Sequence, residues 1–199
     1  MSDKNKSVEA RKCTTPKFRA SYANVYVPTA IEEGQDKKYN IAMLYDADED
    51  ISAMKKAVRA AAVEAWGKDK EKWPKKRRMP FRSGDKDKPG NPEYAGKIFV
   101  SASCKEAPGV IDRRKKPITQ ESGDFYSGCF ARATLIAFHY KKAGNEGISF
   151  ALQNVQKLED GDKLSGKRDA AGDFDDLEEE ELDDDIDTDV SDDDDDFLK

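Results

Sequence analysis

Residues 125–140 read FYSGCFARATLIAFHY, the longest apolar run in the chain, and they are followed by GNEG at 144–147 and ISFALQNVQKL at 148–158. Alternation along the first run puts Tyr126, Phe130, Arg132, Thr134, Ile136, Phe138 and Tyr140 on one face. The other face carries small side chains such as Ser127, Cys129, Ala131, Ala133 and Ala137, which suit the wall of a tight, curved barrel. Gly128 marks a bulge or a close backbone approach. Gly144-Asn145-Glu146-Gly147 is a strong hairpin signal, so the two runs predict a long antiparallel hairpin at the end of the folded body.

Working outward, residues 94–104 (YAGKIFVSASC), 39–45 (YNIAMLY) and 16–27 (PKFRASYANVYV) read as three more strands, the last of them ended by Pro28. Between the second and third strands in chain order, Ile51, Met54, Val58, Ala61, Ala62 and Ala65 recur at helical spacing. The acidic residues among 46–50 supply its cap and Trp66-Gly67 closes it, so this helix is expected to plug one end of the sheet. Five strands and one helix, with no alternation of strand and helix and no internal repeat, predict a mainly β fold. The expected form is a five-stranded antiparallel barrel with one capping α-helix, long basic loops and a disordered tail.

Charge is sorted along the 199 residues. Residues 171–199 hold 17 acidic residues against one lysine, whereas the preceding 170 hold 24 acidic against 34 basic, so a net charge of −6 conceals a body of +10. A run this acidic, without apolar periodicity, repels itself and buries too little surface to offset its ordering entropy. The expected organisation is a flexible N-terminal arm at 1–15, one domain at 16–170 and a disordered acidic tail at 171–199. Such a tail either solubilises the chain or competes for the anion that the basic body binds. Its interleaved Phe174, Leu177, Leu182, Ile186, Val190, Phe197 and Leu198 favour the second reading, since solubility has no use for them.

The strongest functional signal is a pair of basic loops interleaved with aromatics. The first carries Trp73, Lys75, Lys76, Arg77, Arg78, Phe81 and Arg82; the second carries Arg113, Arg114, Lys115 and Lys116. Single-stranded nucleic acid is bound by neutralising its backbone and stacking its bases on rings, and these are the residue types present. Tyr126, Phe130 and Arg132 join that surface if their strand face is the wet one; alternation alone leaves open whether the two rings are core.

Other chemistries find little support. Residues 161–167 (GDKLSGK) approach a phosphate-binding loop, but Arg168 stands where a Ser or Thr must reach Mg²⁺. The acidic spacing at 185–196 approaches a Ca²⁺ loop, but Val190 occupies the position of its turn glycine. His139, the single histidine, has no partner that would make it a metal ligand or base. Cys13, Cys104 and Cys129 are odd in number and widely spaced, and read as reduced structural thiols. No catalytic residue, metal site or cofactor is expected. No run is apolar enough to span a membrane, and the N-terminus does not read as a signal peptide, so a cytosolic protein is expected.

FRASYANVYVP, AAVEAWG, EYAGKIFVSAS, FYSGCFARATL and GISFALQNVQKLEDGDKL resemble the tailed-bacteriophage single-stranded DNA-binding protein family. The resemblance spans residues 18–174. It implies an OB-fold that coats single-stranded DNA during phage replication, recombination and repair, without catalysis, in the cytoplasm of the infected bacterium. It also implies that the tail end, Asp192, Asp193, Asp194, Asp195, Asp196 and Phe197, recruits replication proteins such as a DNA polymerase or helicase. A homodimer is compatible with it. Two features depart from the pattern: the helix precedes the third strand rather than the fourth, and the chain ends Phe197-Leu198-Lys199 rather than on an aromatic residue. Two competing readings are an acidic-tailed histone-like or chaperone-type interaction protein and, third, a metal-dependent nuclease.

Overall fold

The structure is a computed structural model that describes residues 3–30, 36–142 and 144–164. The tail expected to be disordered, with Phe197 and the five aspartates before it, lies outside the described residues.

Eight strands form one sheet. In chain order the elements are α1 (Asp3–Arg11), β1 (Lys12–Thr14), β2 (Phe18–Thr29), β3 (Lys38–Asp46), α2 (Ser52–Trp66), β4 (Phe81–Ser83), α3 (Gly84–Asp87), β5 (Lys97–Cys104), β6 (Gly109–Ile111), β7 (Phe130–Lys142) and β8 (Asn145–Glu159). Five of the strands close a ring, β2–β3–β5–β8–β7 and back to β2. This is the expected five-stranded barrel, with α2 at the predicted place. The expectation that all pairings are antiparallel needs correction. Strand direction cannot alternate around a ring with an odd number of members, so at least one pair must be parallel; here it is β5 with β8, through Ala102↔Phe150 and Ser103↔Ala151.

Three short strands extend the ring. β1 pairs with β7, β4 with β5, and β6 runs parallel to β8. Within the stretch read as a flexible N-terminal arm, residues 12–15 are thus docked on the barrel. Cys13 and Thr15 are buried, Arg11 makes an ion pair of 3.0 Å with Glu64 of α2, and the Ser7 hydroxyl donates to the same carboxylate at 2.6 Å. β2 passes through Pro28 to Thr29 instead of stopping before it, with register shifts after Ser21 and Asn24.

The small face of β7 is the inner one. Ala131, Ala133, Leu135 and Ala137 are buried, and the short side chains of the three alanines leave room for Phe18, Tyr45, Phe150 and the Met54 and Val58 face of α2. The α2 helix packs on β7, β1 and β8 and so closes one end of the ring. Its first turn is held by Asp50, whose carboxylate accepts from the Ser52 amide at 2.9 Å. The thiols are free; burial pushes Cys13 up to about 11 and raises Cys129, which suits inert core residues.

Candidate nucleic-acid interface

The first basic loop is tethered at both of its aromatic residues. Trp73 is only 8% exposed, its indole N–H donates to the Gly67 carbonyl at 2.9 Å, and its ring lies 5.6 Å from that of Trp66. Phe81 is half-buried and stands edge-on to Phe150, 6.3 Å away. Of the two rings expected to receive bases, Trp73 is set into the core and Phe81 is packed against it with part of its ring open, because an aromatic amid lysines anchors an otherwise solvated segment through the area it buries. The cations they carry are outside. Lys75, Lys76, Arg77 and Arg78 are all exposed, and the Arg77 guanidinium sits over the Trp73 ring, 5.5 Å from its centroid.

At Arg78 the loop is sewn to the barrel. Its amide donates to the Glu146 carbonyl at 2.8 Å, and its carbonyl accepts from the Ile148 amide at 3.0 Å, forming a parallel bridge with Gly147. A Cβ on Gly147 would lie 2.2 Å from the Arg78 carbonyl oxygen, so this position admits only glycine. Beyond it, Arg82 is exposed, 4.8 Å over the Phe99 ring and paired with Asp87 at 3.1 Å. An open cleft of about 570 Å³ results, lined by Arg78, Met79, Arg82, Ser101, Tyr140 and Ser149. Two guanidinium groups, one of them paired with the Asp87 carboxylate that also lines the cleft, with a thioether, a phenol ring and hydroxyls, suit a phosphodiester chain with its bases.

The second basic loop is a rigid turn. The Asp112 carboxylate accepts from the amides of Arg114 (2.7 Å) and Lys116 (2.8 Å), and its backbone exchanges hydrogen bonds with Lys115 and Lys116. Lys115 takes a left-handed conformation, φ 64°. Gln156 of β8 anchors the turn by donating to the Asp112 carbonyl at 2.9 Å, while its side-chain oxygen accepts from Arg132 Nε at 2.8 Å. Arg113, Arg114, Lys115, Lys116 and Arg132 are exposed.

Phe130 and Arg132 stand on the outward side of β7, where Phe130 is half-buried under the Lys17 ammonium, 5.3 Å from its centroid. Tyr126 lies before the strand, in a turn. Its hydroxyl donates to Asp160 at 2.9 Å and accepts from the Gly161 amide at 3.3 Å, so it fastens the segment that leaves β8. Lys157, 2.7 Å from Asp160, and then this hydroxyl hold the Asp160 carboxyl below its usual range, while burial raises the Tyr126 phenol. The same strap continues to Leu164, whose amide donates to the Ser127 carbonyl and whose side chain joins Leu44, Tyr94 and Phe99 on the outer wall. Gly128 is the close approach expected of it: a Cβ there would sit 2.0 Å from the Asp162 carbonyl oxygen.

Sequence reasoning missed Tyr22, Met79 and Tyr140. Tyr22 is 54% exposed with φ 46°, at the bulge of β2, and the Lys88 ammonium lies 5.4 Å over its ring. It borders a second cleft of about 460 Å³ with Ser21, Gly90, Tyr94, Ser127 and Leu164. The bulge that turns it outward has no signature in a pattern of alternation. His139 lies 3.0 Å from Glu146, which also accepts the Trp66 indole N–H at 2.8 Å. Among the described residues no group of three or more His, Cys, Asp or Glu is placed to hold a metal, and no helix is long and apolar enough to cross a membrane.

A family profile described as the ssDNA-binding protein of Enterobacter phage Enc34 matches residues 11–186. A putative protein, p50, of Acyrthosiphon pisum secondary endosymbiont phage 1 is 36% identical over 177 residues, covering 82% of this chain and 94% of the relative. Among solved structures, the single-stranded DNA-binding protein of bacteriophage Enc34 in complex with ssDNA superposes with a TM-score of 0.68 at 22% identity, over 79% of this chain and 91% of that one. The single-stranded DNA-binding protein gp2.5 of bacteriophage T7 superposes with a TM-score of 0.56 at 18% identity, over 82% and 94%. These two likenesses bear on the fold, an OB-type barrel.

Proposed function

Since the chain belongs to the Enc34 phage ssDNA-binding protein family, we propose that it coats and protects single-stranded DNA, without catalysis and with little regard to sequence, in the cytoplasm of an infected bacterium. Replication, recombination and repair are the processes it serves in this reading. The observation that carries it is the cleft beside β5 and β8, where Arg78 and Arg82 meet Tyr140 and Met79 and four consecutive exposed cations lead in. Cations there neutralise phosphates, and the rings and thioether receive unpaired bases. Arg113, Arg114, Lys115, Lys116 and Arg132 add charge, Phe130 offers a partly open ring, and Tyr126 contributes by holding the neighbouring strap.

The acidic tail, in the same reading, competes with DNA for these cations and, once displaced, recruits replication proteins such as a polymerase or helicase. What supports it is the opposed charge, −16 against +10. A gel shift comparing a single-stranded oligonucleotide with a duplex of equal length tests the proposal: tighter, strongly salt-dependent binding of the single strand is expected. Equal affinity for both would overturn it.

A further inference from the structure

We infer that the Asp112 turn is a second phosphate anchor, remote from the first, and that one DNA strand lies along the outer face of β7 between the two. This rests on the single-strand binding proposed above and adds to it the path and the length of the bound segment. The first anchor meets β8 at Gly147, through Arg78, and the second meets it at Gln156, through Asp112. Those positions are nine residues apart on one strand, about 30 Å at roughly 3.3 Å per residue. The two basic loops therefore cannot close on the same nucleotide.

The register of β7 on β8 shows what lies between. Tyr140 is opposite Gly147, Phe138 opposite Ser149, Ile136 opposite Ala151 and Arg132 opposite Gln156. All four β7 residues are on the outward side, since Ala133, Leu135 and Ala137 between them are buried. Tyr140, Phe138 and Ile136 are half-buried and belong to neither core cluster. Rings and an aliphatic side chain therefore line the way from one cation group to the other.

The turn itself is built to present charge. Among the described residues none of Arg113, Arg114, Lys115 and Lys116 has a carboxylate ion-pair partner, whereas Lys17, Lys72, Arg82, Lys97 and Lys157 each have one. Four adjacent like charges are held on a turn whose Lys115 is in a left-handed conformation that only glycine adopts freely. Asp112 commits its carboxylate to the two amides that shape the turn and to no cationic side chain within it.

At the stacked rise of about 3.4 Å per nucleotide, about 30 Å is roughly nine nucleotides, and fewer where the strand is stretched. Oligothymidylates of four and of sixteen nucleotides separate the anchors, because only the longer reaches both. The full-length R113Q/R114Q/K115Q/K116Q variant, altered only at exposed side chains, is titrated with both at several salt concentrations. For the 16-mer a Kd at least ten-fold weaker at low salt is expected, with a log Kd against log salt slope lower by about 2–3, from roughly 0.7 for each phosphate no longer neutralised. For the 4-mer a Kd within two-fold of wild type is expected. Equal weakening for both lengths would place the turn at the first cleft, and no weakening for either would remove it from the path; each overturns the inference while leaving single-strand binding intact. A wild-type chain that binds neither oligonucleotide overturns the inference together with the reading beneath it.

Discussion

Replacing Gly147 with alanine tests whether the first basic loop must be held against the barrel to bind. The added methyl carbon would lie 2.2 Å from the Arg78 carbonyl oxygen, 2.9 Å from the carbonyl carbon and 3.0 Å from its Cβ. Backbone stands on both sides of this contact, so no side-chain rotation relieves it, and the Arg78 strand must lift away. Two backbone hydrogen bonds go with it, at about 0.5–1.5 kcal/mol each. The stability loss is then about 1–3 kcal/mol, less the few tenths returned because alanine restricts the unfolded chain. For a chain of this size that lowers Tm by roughly 2–12 °C. Binding weakens for a different reason: Arg77 and Arg78 keep their charge but must be ordered again when DNA arrives. At about 0.5–1.5 kcal/mol per side chain, the two cost about 1–3 kcal/mol, or roughly 5- to 150-fold in Kd. Because no charge is lost, the salt slope stays that of the wild type, and this separates the mechanism from charge removal. Arg78→Gln is the converse: Tm unmoved, slope lower by about 0.7. Fluorescence anisotropy with a labelled oligonucleotide and a thermal melt measure all four quantities. A Gly147→Ala protein that melts and binds as the wild type does would refute the claim that this contact organises the loop.

Exchanging Lys75, Lys76, Arg77 and Arg78 together for alanine should lower the salt slope by up to about 3, read from titrations at several ionic strengths. Trp73→Ala should cost about 3–5 kcal/mol in chemical denaturation, as a core aromatic does. Tyr22→Ala should leave denaturation unchanged and weaken single-strand binding by about 1–3 kcal/mol, with unchanged affinity counting against a base at that ring. Tyr126→Phe deletes a donor that favours ionised Asp160; a carboxyl held low in the folded state stabilises above its ordinary pKa and ceases to as pH falls through the folded value. The stability gap between this variant and wild type should thus be present at pH 7 and close below about pH 4, in melts across that range. Removing residues 173–199 should tighten DNA binding at low salt, with the gain shrinking as salt rises through the range where the Debye length falls below about 10 Å; identical curves would leave the tail out of the groove.

The barrel was legible where side chains alternate and hidden where only backbone speaks. Ala131, Ala133 and Ala137 marked a face of small residues suited to a tight barrel, though not which face was the inner one, and the hairpin after Lys142 followed from GNEG. β4 is three residues inside a basic loop and joins β5 through amides and carbonyls, with Arg82 outward, so no periodicity betrays it. β1 is as short, and α1 before it is polar almost throughout; both dock through Cys13, Thr15 and the Arg11–Glu64 pair rather than an apolar stripe. That a closed ring of five has a parallel pair follows from the count, but the count gives neither which pair, β5 with β8, nor its register.

At the candidate site the cations were legible and their distribution was not. A lysine or arginine among polar residues is exposed almost wherever it falls, so naming Lys75, Arg78, Arg113 and Lys116 needed no structure. An aromatic ring serves a core or a base equally well, and its neighbours in sequence do not decide which. Trp73 and Phe81 sit among lysines and face inward; Phe138 and Tyr140 sit in the most apolar run of the chain and face outward. What decides is the ring's partner in space: Gly67 and Trp66 for Trp73, Phe150 for Phe81. The same holds for the loops. Residues 78 and 113 are closer in sequence than Arg78 and Gly147, yet Arg78 is bridged to Gly147 and Asp112 is held by Gln156 near the other end of β8. Two clusters that look alike in sequence are therefore attached near opposite ends of one strand, and on the proposed path the distance between them, rather than their combined charge, sets how much DNA must be held before both are engaged.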